Sequence, residues 1–362
     1  LGFGTMRLPL LEDGVTVDEK EAVRIIRHAI DSGVNYVDTA YPYHQGTSEI
    51  VVEKALRDGY RDKVFLADKS PIWKLEKESD FDSILEEQLQ KLQTDHIDFY
   101  LLHALNKERF EKIKNFHLID HMLEARKAGK IRYLGFSFHD DLEVFKQIVD
   151  YTDQWDFCQI QYNYIDTQVQ AGDKGYELAA KMGVPMVIME PVKGGRLANL
   201  PEEAKEALNE ADPDRSAASW ALRWVGSHEN VKVILSGMSS MEQLEDNLET
   251  FGKFQPLTEA EEEAVEKAAD LIRSRVKNGC TSCRYCMPCP FGVNIPEMFS
   301  IWNNCAMFDE EEKAKKAYAE QKVQDASADL CKKCGACEKA CPQGLSIRAD
   351  LEKVAKELNT EE

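Results

Sequence analysis

Apolar residues recur along the first 255 positions in two alternating periods. Short runs rich in Val, Ile, Leu, Tyr and Phe stand at 1–3, 36–38, 64–66, 97–102, 131–136, 157–161, 184–189 and 231–235, and their length and composition predict eight strands. Between them, apolar residues fall at helical spacing over 19–31, 80–92, 110–128, 142–149, 174–181 and 216–225, which predicts amphipathic helices. Strict strand–helix alternation calls for crossover connections, and right-handed crossovers make neighbouring strands parallel. Eight such units close naturally into a (β/α)8 barrel; a doubly wound open sheet is the other arrangement the pattern permits.

A barrel of about 250 residues leaves room for a second small module in a chain of 362. The pattern changes near residue 275, where the acidic helical stretch 257–277 gives way to a segment rich in Cys, Gly and Pro. Nine of the ten cysteines lie between Cys280 and Cys341, and only Cys158 falls earlier. We therefore expect an α/β fold in two domains: a (β/α)8 TIM barrel over 1–275 and a small, mainly helical domain over 276–362, with helices at 297–305 and 310–324.

A hydrophobic content of 43% with 30% charged residues describes an ordinary soluble globular protein. No run approaches the ~18 consecutive apolar residues of a membrane helix, and the first residues carry no signal-peptide pattern. The expectation is a cytoplasmic protein without a membrane partner. The chain opens on Leu1, directly on an apolar run, which leaves room for a longer natural sequence ahead of it. A net charge of −20 repels nucleic acid, so none is expected as a partner. Cytoplasmic cysteines do not need a disulfide framework, and their clustering calls for another explanation.

In a (β/α)8 barrel, chemistry sits at the C-terminal ends of the strands. Polar residues there include Asp38, Lys69, His103, Ser137, His139, the segment 159–163, Glu190 and Ser236, with Tyr41 and Tyr43 in the loop after the second strand. Asp38, Tyr43, Lys69 and His103 bring a carboxylate, a phenol, an ammonium and an imidazole to one rim. A phenol is a poor acid or base at neutral pH, but a buried lysine beside it stabilises the phenolate and lowers its pKa. Asp38 would hold Lys69 charged, and His103 would orient a carbonyl group.

The stretch Asp38-Thr39-Ala40-Tyr41-Pro42-Tyr43, followed by Gly46, Ser48 and Glu49, resembles the aldo-keto reductase signature. Asp68-Lys69, Tyr100 to His103, Gly135-Phe136-Ser137, Gln159 to Asn163, and Ser236 to Ser240 leading to Gln243 and Asn247 extend the resemblance over nearly all of residues 1–255. It implies that Asp38, Tyr43, Lys69 and His103 form a catalytic tetrad. NADP(H) or NAD(H) would exchange a hydride with a small-molecule carbonyl or alcohol while Tyr43 handles the proton. The resemblance places Ser137 and Gln159 at the nicotinamide carboxamide, and Ser236, Gln243 and Asn247 at the adenine-side phosphate and ribose. Two positions depart from the common pattern. Met189 stands where an aromatic ring often stacks on the nicotinamide, and Gln243 where many members carry an arginine for the 2′-phosphate, which leaves Lys193 and Arg196 as cations for that group. Both coenzymes stay open.

The run Cys331-x2-Cys334-x2-Cys337-x3-Cys341-Pro342 is the one bacterial ferredoxins use for 4Fe-4S clusters, in which the fourth cysteine ligates the other cluster of a pair. A second run, Cys280-x2-Cys283-x2-Cys286-x2-Cys289-Pro290, is one residue shorter before its last cysteine. The expected sets are Cys280, Cys283, Cys286 and Cys341 for one cluster, and Cys331, Cys334, Cys337 and Cys289 for the other. Paired C-x2-C motifs also suit zinc; two runs of four, each ending in Cys-Pro, favour clusters. Cys158 and Cys305 lie outside both runs and are expected as buried structural thiols.

These features together predict an NAD(P)-dependent oxidoreductase of aldo-keto reductase type whose clusters relay electrons to, or dock, a redox partner protein. The alternative is a non-catalytic electron-transfer or redox-sensing subunit that uses the barrel as a docking scaffold. A third possibility gives the clusters a purely structural role.

Overall fold

The computed structural model describes residues 1–359. Eight strands pair in chain order into a closed, all-parallel barrel: β1 (Gly2–Gly4), β2 (Tyr36–Asp38), β3 (Phe65–Ser70), β4 (Ile97–Leu105), β5 (Ile131–Phe138), β6 (Phe157–Gln161), β7 (Met186–Met189) and β8 (Val231–Ser236). The open-sheet alternative is excluded because β1 pairs with both β2 and β8. Helices Glu19–Asp31, Asp80–Leu92 and Leu142–Val149 occupy the predicted spans. The predicted helix 110–128 is instead two helices, Lys107–Asn115 and Leu118–Lys127. His117 between them takes a left-handed φ of 47°, which ends one helix before the next begins.

The pleat places the functional rim. Alternate residues point to the same face of a strand, and a layer of Tyr36, Ala67, Leu101, Phe157, Val187 and Leu235 fills the barrel interior. Two residues further along are Asp38, Lys69, His103, Gln159 and Met189, so each inward apolar residue is followed on the same face by a residue of the mouth. Gly135 belongs to this lower layer because Phe157 occupies its space: a Cβ there would stand 2.6 Å from the Phe157 carbonyl oxygen. The larger apolar cluster lies between the strands and the surrounding helices, with Ile25, Ile26, Val51, Phe81, Leu102, Phe136, Phe145 and Leu222 fully buried.

By compactness the chain divides into Leu1–Ala198 with Arg215–Glu262, and Asn199–Asp214 with the residues from Glu263 onward. The sequence division at 275/276 follows the change in composition. The structural one falls earlier, inside helix Glu259–Ser274: from Glu263 onward that helix groups with Asn199–Asp214, and Lys267 Nζ lies 2.8 Å from Glu210 Oε2. The end of the expected second domain, 360–362, lies outside the described residues.

The second unit is mainly helical. Helices Ile295–Phe308, Glu311–Val323 and Ile347–Leu358 bury Phe299, Trp302, Tyr318, Leu351 and Val354 in a core of their own, and six of the eight run cysteines pack against it. The predicted helices 297–305 and 310–324 correspond to the first two; Ile347–Leu358, which closes this core, was not anticipated. Among the described residues no helix is long and apolar enough to cross a membrane.

Candidate active site and cysteine cavities

Asp38 ends β2, and Lys69 lies beside it on β3, where Ala67 pairs with Asp38 in register. The Lys69 ammonium is fully buried and donates to Asp38 Oδ1 at 2.6 Å and to the Thr39 carbonyl at 2.7 Å. Burial alone would pull the lysine down, but Asp38 and Tyr43 outweigh it and hold it charged, above its ordinary value. Behind it, the Asp68 carboxylate accepts from the Lys69 backbone N–H at 2.8 Å and from Gln88 Nε2 at 2.7 Å, and Tyr100 donates to Gln88 at 2.6 Å. Burial and the neighbouring Glu49 push the Asp68 carboxyl well above the usual carboxylate range. Gln88, Asp68 and Lys69 are all buried, so Lys69 is held in place from behind.

Tyr43 follows β2 in a tight turn, Tyr43–Gly46, that runs through two left-handed residues, His44 and Gln45. Such backbone is strained outside glycine and persists where the surroundings enforce it; here His44 Nε2 lies 3.1 Å from the Thr5 carbonyl oxygen. Lys69 Nζ sits 5.0 Å from the centre of the Tyr43 ring, and the Tyr43 and His103 rings meet edge to face at 6.0 Å. Burial pushes the Tyr43 phenol up, and the opposing pull of Lys69 does not reverse it. Against the expected lowering, the balance keeps the phenol protonated, because burial outweighs the lysine and Asp38 offsets its charge. His103 is held well below its ordinary value by burial and by Lys69, His139 and Arg109, so its imidazole is neutral.

Ser137 and Gln159 are direct register partners on β5 and β6. Ser137 Oγ accepts from the Ala104 N–H at 2.7 Å, which leaves its hydroxyl proton free to donate. Gln159 Nε2 reaches Met189 Sδ at 3.5 Å, while Gln159 Oε1 is buried without a hydrogen-bond partner. A primary carboxamide offers the N–H donor that this oxygen lacks, so the residues fit a nicotinamide. Asn247 donates to Ser236 Oγ at 2.9 Å, and Gln243 Oε1 accepts from the Ser239 N–H at 2.8 Å. Both pairs brace the loop that leads into helix Met241–Gly252, whose N-terminal N–H groups favour an anion. Lys193 is engaged elsewhere: its ammonium lies 2.6 Å from the buried Asp166.

Two further residues at this mouth escaped the sequence reading. Trp73, four positions after Lys69, places its indole 5.2 Å from the His103 ring, and the Arg109 guanidinium lies 4.8 Å over that indole. Their position in the segments just past β3 and β4 was the available signal.

The cysteines line two cavities. Cys280, Cys283, Cys286 and Cys341 line one; Cys289, Cys331, Cys334 and Cys337, together with Cys286, line the other. Each expected set thus converges on one cavity, with the last cysteine of each run beside the other run. Among the described residues no three of these side chains stand close enough to share a single metal ion, and eight cysteines in two runs suit polynuclear clusters. Cys305 is half-buried on helix Ile295–Phe308, and Cys158 is fully buried in β6, where burial pushes its thiol far up.

A model of the Aldo/keto reductase family matches residues 1–270, and one of a 4Fe-4S dicluster domain matches residues 279–345. The chain belongs to the aldo/keto reductase family: it is an oxidoreductase of that type, a parallel (β/α)8 barrel followed by a helical region carrying a 4Fe-4S dicluster domain. The aldo-keto reductase YhdN of Bacillus subtilis is 37% identical over 145 residues, a match that spans 38% of this chain and 42% of that protein. The methylglyoxal reductase YeaE of Escherichia coli is 29% identical, covering 64% of this chain and 81% of its own length. Among solved structures, the holo form of an aldo-keto reductase from Bacillus halodurans superposes with a TM-score of 0.62 at 29% identity, over 74% of this chain and 91% of that one.

Proposed function

We propose that the barrel interconverts small carbonyl compounds and alcohols with NAD(P)(H), and that two 4Fe-4S clusters in the second unit exchange electrons with a redox partner. The observation that carries the reading is the buried Lys69–Asp38 pair set 5.0 Å beneath the ring of a protonated Tyr43, with a neutral His103 across from it. YeaE, a methylglyoxal reductase by name, supports carbonyl reduction as the direction of chemistry.

In this reading the substrate oxygen rests between Tyr43 and His103. Tyr43 gives its proton to that oxygen as negative charge develops there, and Lys69, held charged by Asp38, stabilises the phenolate left behind. His103, neutral, orients the carbonyl without competing for the proton. Ser137 and Gln159 hold the coenzyme's carboxamide, and Ser236, Gln243 and Asn247 shape its adenine-side seat. The bound nicotinamide supplies the hydride. Cys280, Cys283, Cys286 and Cys341 would hold one cluster and Cys289, Cys331, Cys334 and Cys337 the other; the clusters supply one-electron carriers. A cytoplasmic setting goes with reduced cysteines of this kind.

Tyr43→Phe tests the assignment. It removes the acid while leaving Lys69 in place, so turnover of a simple aldehyde should fall by roughly a hundredfold or more while NAD(P)H still binds by calorimetry. A variant with unchanged turnover would exclude Tyr43 as the acid. A wild-type chain that binds no nicotinamide would favour the docking-subunit alternative.

A further inference from the structure

The mouth of the barrel carries a cation that the tetrad does not use. Arg109 is half-buried on helix Lys107–Asn115, and among the described residues no carboxylate stands within ion-pair distance of its guanidinium. A partly buried, unpaired arginine is an unusual expense in a chain with a net charge of −20, in which most arginines have acidic partners.

Its placement is firm. The Arg109 backbone N–H donates to the helix cap Asn106 at 2.8 Å, its Nη1 donates to the Ala104 carbonyl at 2.5 Å, and its face lies 4.8 Å over Trp73. Ala104 takes a left-handed φ of 54°, a conformation uncommon outside glycine, within the stretch that presents this carbonyl. Lys112, one turn further along the same helix, donates to the Leu75 carbonyl at 3.0 Å and so fastens the loop that holds Trp73. One N–H of the five is used. The rest of the fork makes no further hydrogen bond among the described residues, and the same indole lies 5.2 Å from the His103 ring.

Resting on the carbonyl-reductase reading above, we infer that Arg109 anchors an anionic group of the substrate, so that the preferred substrates are aldehydes or ketones bearing a carboxylate some carbons away from the carbonyl. A carbonyl would be held by Tyr43 and His103 and an anion by Arg109, with the Trp73 ring in contact with both His103 and Arg109. Because separate residues would hold the two groups, a short ω-oxo acid suits the site better than a 2-oxo acid, whose two groups are adjacent. The planar fork matches a carboxylate bidentately. On an acidic protein, a positive mouth also focuses anions toward the site.

Two readouts on the full holo-chain test this: calorimetric titration with succinate, which cannot turn over, and steady-state kinetics with 4-oxobutanoate and butanal. Wild type should bind succinate, Arg109→Met should lose that binding, and Arg109→Lys should keep part of it. With 4-oxobutanoate, Arg109→Met should lower kcat/KM about ten- to hundredfold, mainly through KM, whereas butanal changes less than about threefold. Succinate binding that is absent from wild type or insensitive to Arg109, or a parallel loss on both aldehydes, overturns the inference and leaves the reductase reading intact. Succinate binding that depends on Arg109 in a protein that reduces neither aldehyde keeps the anion site and overturns the reductase reading instead.

Discussion

Replacing Lys69 by methionine separates the structural from the catalytic role of the buried pair. The lysine side chain is fully buried and that of Asp38 is 3% exposed, so the substitution keeps most of the volume but leaves Asp38 without its counter-charge. Breaking a buried ion pair by removing one partner destabilises by about 3–5 kcal/mol. At roughly 2–4 °C per kcal/mol for a domain of this size, the barrel should melt about 6–20 °C lower. Asp38→Asn together with Lys69→Met removes both charges, and the double variant should recover much of the loss. Neither variant should turn over substrate, because both lack the cation beneath Tyr43. Thermal unfolding of wild type and both variants, followed by far-UV circular dichroism under anaerobic conditions, supplies the stabilities. A single variant as stable as wild type, or a double variant no more stable than the single, would refute the reasoning.

Two more outcomes follow from the same geometry. His103 has a folded pKa well below its ordinary 6.5, so below that value the unfolded chain binds a proton that the folded chain does not. Its contribution is therefore complete above about pH 6.5 and is lost as pH falls toward the folded value, with a slope of at most about 1.4 kcal/mol per pH unit. Denaturant midpoints compared across this window should drop less in His103→Gln than in wild type, and identical profiles would show that the histidine is not held neutral. For the clusters, crossed ligation predicts that Cys280→Ser with Cys341→Ser loses one cluster and keeps about four irons, while Cys280→Ser with Cys289→Ser loses both. Iron quantitation that shows the reverse pattern would establish that each run binds its own cluster.

Much of this was legible in the residues because the barrel repeats a local rule. The apolar runs locate the strands, and period-two alternation carries Tyr36 to Asp38, Ala67 to Lys69 and Leu101 to His103, from the interior layer to the mouth. Helices with clean amphipathic stripes, such as Glu19–Asp31, were readable to the residue. The break at His117 was not, because a left-handed residue inside a continuous apolar pattern leaves no mark on that pattern. The protonated state of Tyr43 was equally hidden: spacing shows that a lysine is near, but not that burial outweighs it. Arg109 escaped notice because a lone arginine at a helix start reads as surface, and only the structure reveals that it lies against Trp73, with no carboxylate among the described residues within ion-pair distance. In the second unit, cysteine spacing suggested the crossing of the two runs, while helix Ile347–Leu358, which helps bury the cysteine loops, carries no chemical motif to flag it.

The central claim, that one chain joins a nicotinamide-dependent barrel to two cysteine-held clusters, is tested most directly by anaerobic purification, iron and sulfide quantitation, and titration with NADPH and NADH while the cluster absorbance is followed. The account predicts about eight irons per chain and bleaching of the clusters by a nicotinamide. Full iron content with no response to either nucleotide would contradict it.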